Sequence, residues 1–216
     1  MSTHTPARGK FITLEGGEGA GKSSQVAALV AWLKGRGIAA VATREPGGSA
    51  GAEMIRRLLV EGPADRWDAT TEALLHFAAR RDHLAKTAWP ALAGGTWVVS
   101  DRFADSTMAY QGYGHGMDRK LVRGLYAATV GDFQPDLTLI LDLPVEIGLT
   151  RAAARGGAEQ RYESMQRDFH ERLRQGFLEI AAAEPKRCVV VDASGERDAV
   201  TARLVGAVAG KFGLKP

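Results

Sequence analysis

Disulfides are excluded at the outset, because the chain has a single cysteine, Cys188, set in the apolar run Cys188-Val189-Val190-Val191. A lone thiol in such a run agrees with a reducing compartment and reads as core rather than nucleophile. No apolar run approaches the ~18 residues that a membrane span requires. The N-terminal stretch Met1 to Gly9 is polar and lacks the apolar segment of a signal peptide, which predicts a cytoplasmic protein. Net charge is only +3, and the chain carries no basic stripe, so a nucleic-acid partner is not expected. The guanine-reading pattern Asn-Lys-x-Asp is missing, which argues against a nucleotide-driven switch of the GTPase type. Repeats, low-complexity tracts and linkers are absent as well. Residues 1–216 therefore read as one domain.

What is present is a complete phosphate-binding loop. Residues 16 to 23 read Gly-Gly-Glu-Gly-Ala-Gly-Lys-Ser, the pattern G-x-x-x-x-G-K-[ST]. Before it stands the strand-like run Lys10 to Glu15. After it, Val26, Leu29, Val30 and Leu33 recur at helical spacing. Glycines at 16, 17, 19 and 21 with Ala20 let successive N–H groups converge on one anion, and the following helix adds its positive end. Lys22 can reach the β- and γ-phosphates, and the Ser23 hydroxyl can ligate Mg²⁺. Gly16 to Ser24 are thus expected to bind the phosphates of a nucleoside triphosphate.

The rest of the chain supplies the frame for such a loop. Hydrophobic residues make up 45% of it, enough for a sizeable core. Strand-like runs at 11–15, 39–43, 97–100, 137–143 and 188–191 alternate with helical segments near 22–35, 51–61, 71–93, 118–130, 145–155, 163–183 and 197–212. Alternation of this kind predicts an α/β fold, a five-stranded parallel sheet covered on both faces. Pro90 is expected to end or kink the third helix. Gly156-Gly157 reads as the hinge of a short flap spanning about residues 155–163. Of the 28 basic residues 20 are arginine, whose planar fork suits phosphate oxygens.

Ligands of open α/β sheets lie beyond the carboxyl ends of the strands, and each strand end here carries polar residues. After the second run comes Thr43-Arg44-Glu45-Pro46-Gly47-Gly48. After the third comes Ser100-Asp101-Arg102-Phe103, then Ser106, Thr107, Tyr110 and Gln111. Asp101 is placed to hold water or Mg²⁺, or to cap a helix. Arg102 can grip an acceptor phosphate or make a surface ion pair. Asp142, closing the fourth strand, is either a metal-supporting carboxylate or a helix cap.

Taken together, Glu15 to Ser23, Thr43 to Gly48, Asp101-Arg102-Phe103, Ser106 to Gly112, Pro135 to Asp142, and Arg151 to Arg155 with Arg161-Tyr162-Glu163 resemble bacterial thymidylate kinases over essentially the whole chain. The resemblance implies transfer of the ATP γ-phosphoryl to dTMP, with Mg²⁺, on a P-loop sheet with a lid, in a homodimer. It implies Arg151 near adenine and Arg102 on the dTMP phosphate. Arg44, Glu45 and Pro46 would shape the acceptor-phosphate surroundings. Tyr110 would pack on the deoxyribose, with Ser106 and Gln111 beside it, and Thr107 with Arg80 would read the pyrimidine edge. Gly19 and Ala20 stand where some members carry a catalytic arginine, so the chain resembles the type whose lid supplies the cation, here Arg155 and Arg161. Glu18 would face the acceptor sugar. The family's base-stacking phenylalanine has no direct counterpart: aligning on Ala78-Ala79-Arg80 puts His76 there, whereas a one-residue shift puts Phe77.

Overall fold

Five parallel strands form the centre of the computed structural model, which describes residues 8–63, 65–155, 162–163 and 165–215, residue 155 by its backbone alone. The strands are β1 (Phe11–Glu15), β2 (Ala40–Arg44), β3 (Trp97–Asp101), β4 (Leu137–Asp142) and β5 (Cys188–Asp192). The helices are α1 (Lys22–Gly35), α2 (Ala50–Val60), α3 (Ala69–His83), α4 (Trp89–Ala93), α5 (Ala104–Thr107), α6 (Arg119–Val130), α7 (Val145–Arg155), α8 (Arg167–Ala183) and α9 (Arg197–Phe212). In space the strands run β2-β3-β1-β4-β5, and every pairing is parallel. Parallel neighbours need crossover connections, so helices cover both faces.

Alternation along the strands separates two interiors. Ile12, Leu14, Val99, Leu137, Leu139 and Leu141 face α1 and α9 and pack on Val26, Leu29, Leu33, Leu204 and Val208. Each such side chain contributes roughly 1.5–3 kcal/mol by leaving water. The opposite face packs Phe11 and Val98 against Phe77 of α3 and Val122 of α6, and Ile140 against Phe169, Leu173 and Phe177 of α8. A polar seam crosses that second face. The hydroxyls of Thr13 and Thr138, paired in register, lie 2.9 Å apart. The Arg187 fork donates to both oxygens of Asp105 at 2.7 and 2.8 Å and to Thr138 at 2.9 Å. Glu15 lies on the same face, fully buried.

The five expected strands are all present, and the differences lie in the helices. Ser49 and Asp68 cap α2 and α3 by accepting backbone N–H groups, so α2 starts one residue and α3 two residues earlier than apolar spacing indicates. The long helix expected to end or kink near Pro90 leaves regular α-helical geometry upstream of it. A π-helical turn, Leu84–Ala88, widens the spiral, and Pro90 then sits in the first turn of α4, where its missing N–H costs nothing. Helix α8 starts at Arg167 rather than near residue 163. A second π-helical stretch, Met108–Gly114, continues α5 and was not foreseen as helix. Cys188 is buried as expected, and burial pushes its thiol up to about 12. Among the described residues no helix is long and apolar enough to cross a membrane. The expected hinge, Gly156-Gly157, and Arg161 lie outside the described residues.

Candidate active site

Strand β1 runs directly into the phosphate loop, whose shape depends on its glycines. Gly19 has φ +67°, and a Cβ there would stand 2.0 Å from the Gly148 carbonyl oxygen of α7. Only glycine fits that approach. Gly21, at φ +82°, precedes α1 in the left-handed region, while Ala20 buries its methyl in the core beneath α1. Lys22 opens the helix. Its ammonium folds back to donate to the carbonyls of Gly16 at 3.1 Å and Gly17 at 2.7 Å. Burial, with the Arg102 charge adding to it, pushes the Lys22 pKa down to about 8. The Ser23 hydroxyl donates to Asp101 Oδ2 at 2.5 Å, bringing together the two residues expected at the metal.

Above the loop opens a cavity of about 610 Å³, within the range of small-ligand sites. Glu18, Gly19, Gly21, Lys22, Ser23 and Ser24 line one side. Arg44, Glu45, Pro46, His76, Asp101, Arg102, Ser106, Thr107, Tyr110 and Gln111 line the other. Sequence reasoning missed three further lining residues, Arg56, Val60 and Tyr162. Arg56 follows the Pro46 turn on α2 and donates to the Pro46 carbonyl at 2.7 Å. Nothing in the sequence separates it from the other surface arginines.

Arg102 occupies the centre. Its guanidinium donates to the Gly16 carbonyl at 3.0 Å, Ser106 Oγ at 3.1 Å, Glu18 Oε1 at 3.0 Å and Tyr110 Oη at 2.8 Å. Tyr110 in turn donates to Glu18 Oε1 at 2.5 Å. Burial alone would raise the Glu18 pKa, but Arg102, Lys22 and the Tyr110 hydroxyl outweigh it and hold that carboxyl down at about 2. Among the described residues Arg102 is the one non-glycine with positive φ, at 68°. That conformation costs roughly 1–2 kcal/mol.

Across the cavity the side chains are buried and paired. Glu45 accepts from Arg80 Nε at 2.7 Å with one oxygen and pairs with His83 Nδ1 at 2.8 Å through the other. Its two oxygens are thus divided between Arg80 and His83, a pairing the sequence did not indicate. Arg80 also donates to the Phe103 carbonyl and to Thr107, at 3.1 and 3.0 Å, and its guanidinium lies over the rings of Phe77 and Phe103. Phe77 is 1% exposed and does not line the cavity. Helical phase turns it inward, under Arg80, so of the two alternatives for the stacking ring Phe77 lies in the core. His76, one position earlier, lines the cavity and pairs with Tyr162 at 3.1 Å. Gln111 donates to Glu72 at 3.0 Å, which fixes the orientation of its amide. Two buried polar atoms here have no partner among the described residues, the acceptor Gln111 Oε1 on the cavity wall and, on a side chain set behind that wall, the donor Arg80 Nη1.

Other expected residues lie elsewhere. Arg151 donates to the carbonyls of Ala193 and Gly195 and does not line this cavity. Gly16 and Gly17 border a much smaller pocket beneath the loop, together with Asp142. Arg174 grips both oxygens of Asp142 at 2.7 and 2.9 Å, and Asp142 borders that smaller pocket rather than the main cavity. The side chain of Arg155, and Arg161 entirely, lie outside the described residues. Ser23 and Asp101 are hard oxygen donors of the type Mg²⁺ accepts, and no cluster of three acidic, histidine or cysteine side chains competes with them among the described residues.

Comparison with known proteins agrees with this geometry. The family model described as thymidylate kinase matches residues 14–204. The thymidylate kinase of Caulobacter vibrioides is 56% identical over 207 residues, covering 96% of this chain and 99% of that protein. That of Rhizorhabdus wittichii is 52% identical over 202 residues, covering 93% and 97%. The crystal structure of thymidylate kinase from Ehrlichia chaffeensis superposes with a TM-score of 0.75 at 33% identity, covering 93% of this chain and 99% of that one. A phosphate loop on β1, an arginine-centred cavity beside it and near-full-length identity above one half lead to the same conclusion: the chain belongs to the thymidylate kinase family.

Proposed function

We propose that the protein transfers the γ-phosphoryl group of ATP to dTMP, giving dTDP and ADP. The observation that carries the choice of base is the pair of unpartnered buried atoms, donor Arg80 Nη1 and acceptor Gln111 Oε1. A thymine edge offers the complement, an O4 acceptor beside an N3–H donor. Cytosine offers the reverse, and would leave both protein groups unpaired at about 1–3 kcal/mol each. His76 and Tyr110 both line the cavity, where the His76 ring would stack on the base and Tyr110 would pack on the sugar.

The transfer itself needs alignment and charge rather than covalent help. A phosphate monoester has its second pKa near 6, so the acceptor is largely a dianion at neutral pH and no general base is required. Lys22 turns from the Gly16 and Gly17 carbonyls to the donor phosphates. Arg102 spans the phosphate loop and the acceptor side, and Glu18 with Tyr110 holds its fork. Ser23 and Asp101 would hold Mg²⁺, which supplies charge on the β- and γ-phosphates when bound. Residues 155–163 act as a lid within a single domain, with Arg155 and Arg161 as its cations and Arg151 toward adenine. Closure excludes water and limits ATP hydrolysis.

The working form is a homodimer in the cytoplasm. Met54 and Leu58 of α2, Leu74 of α3 and Leu121 of α6 are exposed large apolar side chains, α2 packing on α3 and α3 on α6, and are the candidates for contact with a second copy. Light scattering on the wild type and on Leu74→Glu should give two masses, dimer and monomer. For the reaction, γ-labelled ATP with dTMP, dUMP, dCMP, AMP and GMP is the direct assay. Label should pass to dTMP first and to dUMP more slowly, since the missing methyl is worth about 1–3 kcal/mol. A clear preference for dCMP, AMP or GMP would refute the reading.

A further inference from the structure

The buried carboxyl of Glu15 is used by neither nucleotide half of the cavity, yet it reaches Arg102 from both ends. One oxygen, Oε1, accepts the backbone N–H of Phe103, the residue after Arg102, at 2.7 Å. The other, Oε2, pairs with the Ser106 hydroxyl at 2.5 Å, and that same hydroxyl oxygen receives Arg102 Nη1 at 3.1 Å. Two more bonds complete the enclosure. Arg102 N–H donates to the Leu14 carbonyl at 2.9 Å, and Ser100 Oγ donates to the Arg102 carbonyl at 2.7 Å.

These contacts enclose the one non-glycine residue among the described set with positive φ. Such a conformation persists only where its surroundings over-determine it. Rotating Arg102 to negative φ would reorient the peptides on either side, whose N–H groups are held by Leu14 and Glu15. Packing alone does not call for a carboxyl here. Glu15 is 0% exposed, a costly place for an acid, and leucine would fill the space but leave the Phe103 N–H without a partner. We propose that Glu15 is a positioning residue, holding Arg102 in its left-handed conformation and, through Ser106, aiming its guanidinium between the phosphate loop and the acceptor. The inference rests on the reading of Arg102 as the arginine that spans donor and acceptor.

A double-mutant cycle tests it, with steady-state kinetics on dTMP and a fluorescent ATP analogue to follow nucleotide affinity. Glu15→Leu is expected to lower kcat at least ~30-fold and raise the dTMP KM, while analogue affinity changes less than about 3-fold. The decisive comparison is Glu15→Leu/Arg102→Ala against Arg102→Ala alone. If Glu15 acts through Arg102, the double variant is no more than about 2-fold slower than Arg102→Ala. Losses that multiply, or a Glu15→Leu enzyme with normal kcat, would overturn the proposal. Should Glu15→Leu not fold, Glu15→Gln serves in the same cycle. It keeps the Phe103 bond but directs an N–H at the Ser106 oxygen that Arg102 needs. A loss of about 5-fold or more, absent in the Arg102→Ala background, supports the proposal; unchanged kcat or a multiplying loss overturns it. A wild-type enzyme inactive on dTMP but active on another monophosphate would instead refute the substrate reading, and the cycle would be run on that acceptor.

Discussion

The two halves of the cavity are built from different materials. The donor half is mostly backbone: a loop of glycines, the free N–H groups that open α1, and one lysine resting on carbonyls that a phosphate would replace. The acceptor half is mostly side chain. There Arg80, Glu45, His83, Gln111 and Glu72, contributed by the β2–α2 turn, α3 and the Met108–Gly114 stretch, bond to one another out of contact with water. Backbone recognition reads a charge that every nucleoside triphosphate shares. Side-chain recognition reads the identity of a base, and it needs several elements to fold before any of it exists.

The largest expected effect breaks the donor half alone. Lys22→Met should reduce kcat/KM by about 10³-fold or more, since one cation aimed at transition-state charge is worth at least an oxyanion-hole donor. Unliganded stability should move the other way. The folded-state pKa of Lys22, about 8, lies below its ordinary 10.5. Between those values the unfolded chain binds the proton and the folded one does not, so Lys22 makes stability rise with pH across that window. Urea unfolding at pH 7 and 9.5 should show a smaller rise in Lys22→Met than in wild type. Near-normal turnover in Lys22→Met would mean that the loop is not the catalytic one.

Next in size, Arg161→Ala should lower kcat at least ~10²-fold while ATP affinity for the unliganded enzyme changes only a few-fold, as for an arginine delivered on closure. A normal kcat with only a raised ATP KM would make Arg161 a ground-state binder. The acceptor half should then separate its core from its wall. Phe77→Ala should cost about 3–5 kcal/mol of stability, by the usual cavity penalty and the loss of the ring beneath Arg80. His76→Ala should leave stability nearly unchanged and raise the dTMP KM a few-fold, with the ATP KM constant. Thermal melts with dTMP titrations distinguish them, and the reverse pattern would restore Phe77 as the stacking ring.

That difference in materials also explains what the sequence revealed. The phosphate loop was legible because backbone geometry demands glycines at fixed positions, and a motif is the direct record of that demand. The strands were legible from continuous apolar runs. The stretch from Ala104 to Gly114 was not recognised as helical because it is buried on the core side and lines the cavity on the other, so no apolar stripe marks it. The site residues His76 and Arg80 entered through resemblance, and Gln111 through its place after the third strand, none of them through periodicity. Their supports, His83 and Glu72, lay hidden because a buried histidine or glutamate in a helix looks like any polar residue until its partner from another element is in place. Phe77 shows the same limit, since a one-residue shift along α3 moves a ring from the wall to the core.

The central claim is that Gln111 Oε1 and Arg80 Nη1 read a thymine edge, and the ratio of kcat/KM for dTMP to that for dCMP, measured in wild type and in Gln111→Leu, tests it most directly. A site built to hydrogen-bond one edge rejects the wrong one strongly, so the wild-type ratio should be about 10³ or more, and Gln111→Leu should lower it at least ~10-fold through loss of dTMP activity. A wild-type ratio near one, or a ratio that Gln111→Leu leaves unchanged, would contradict the account.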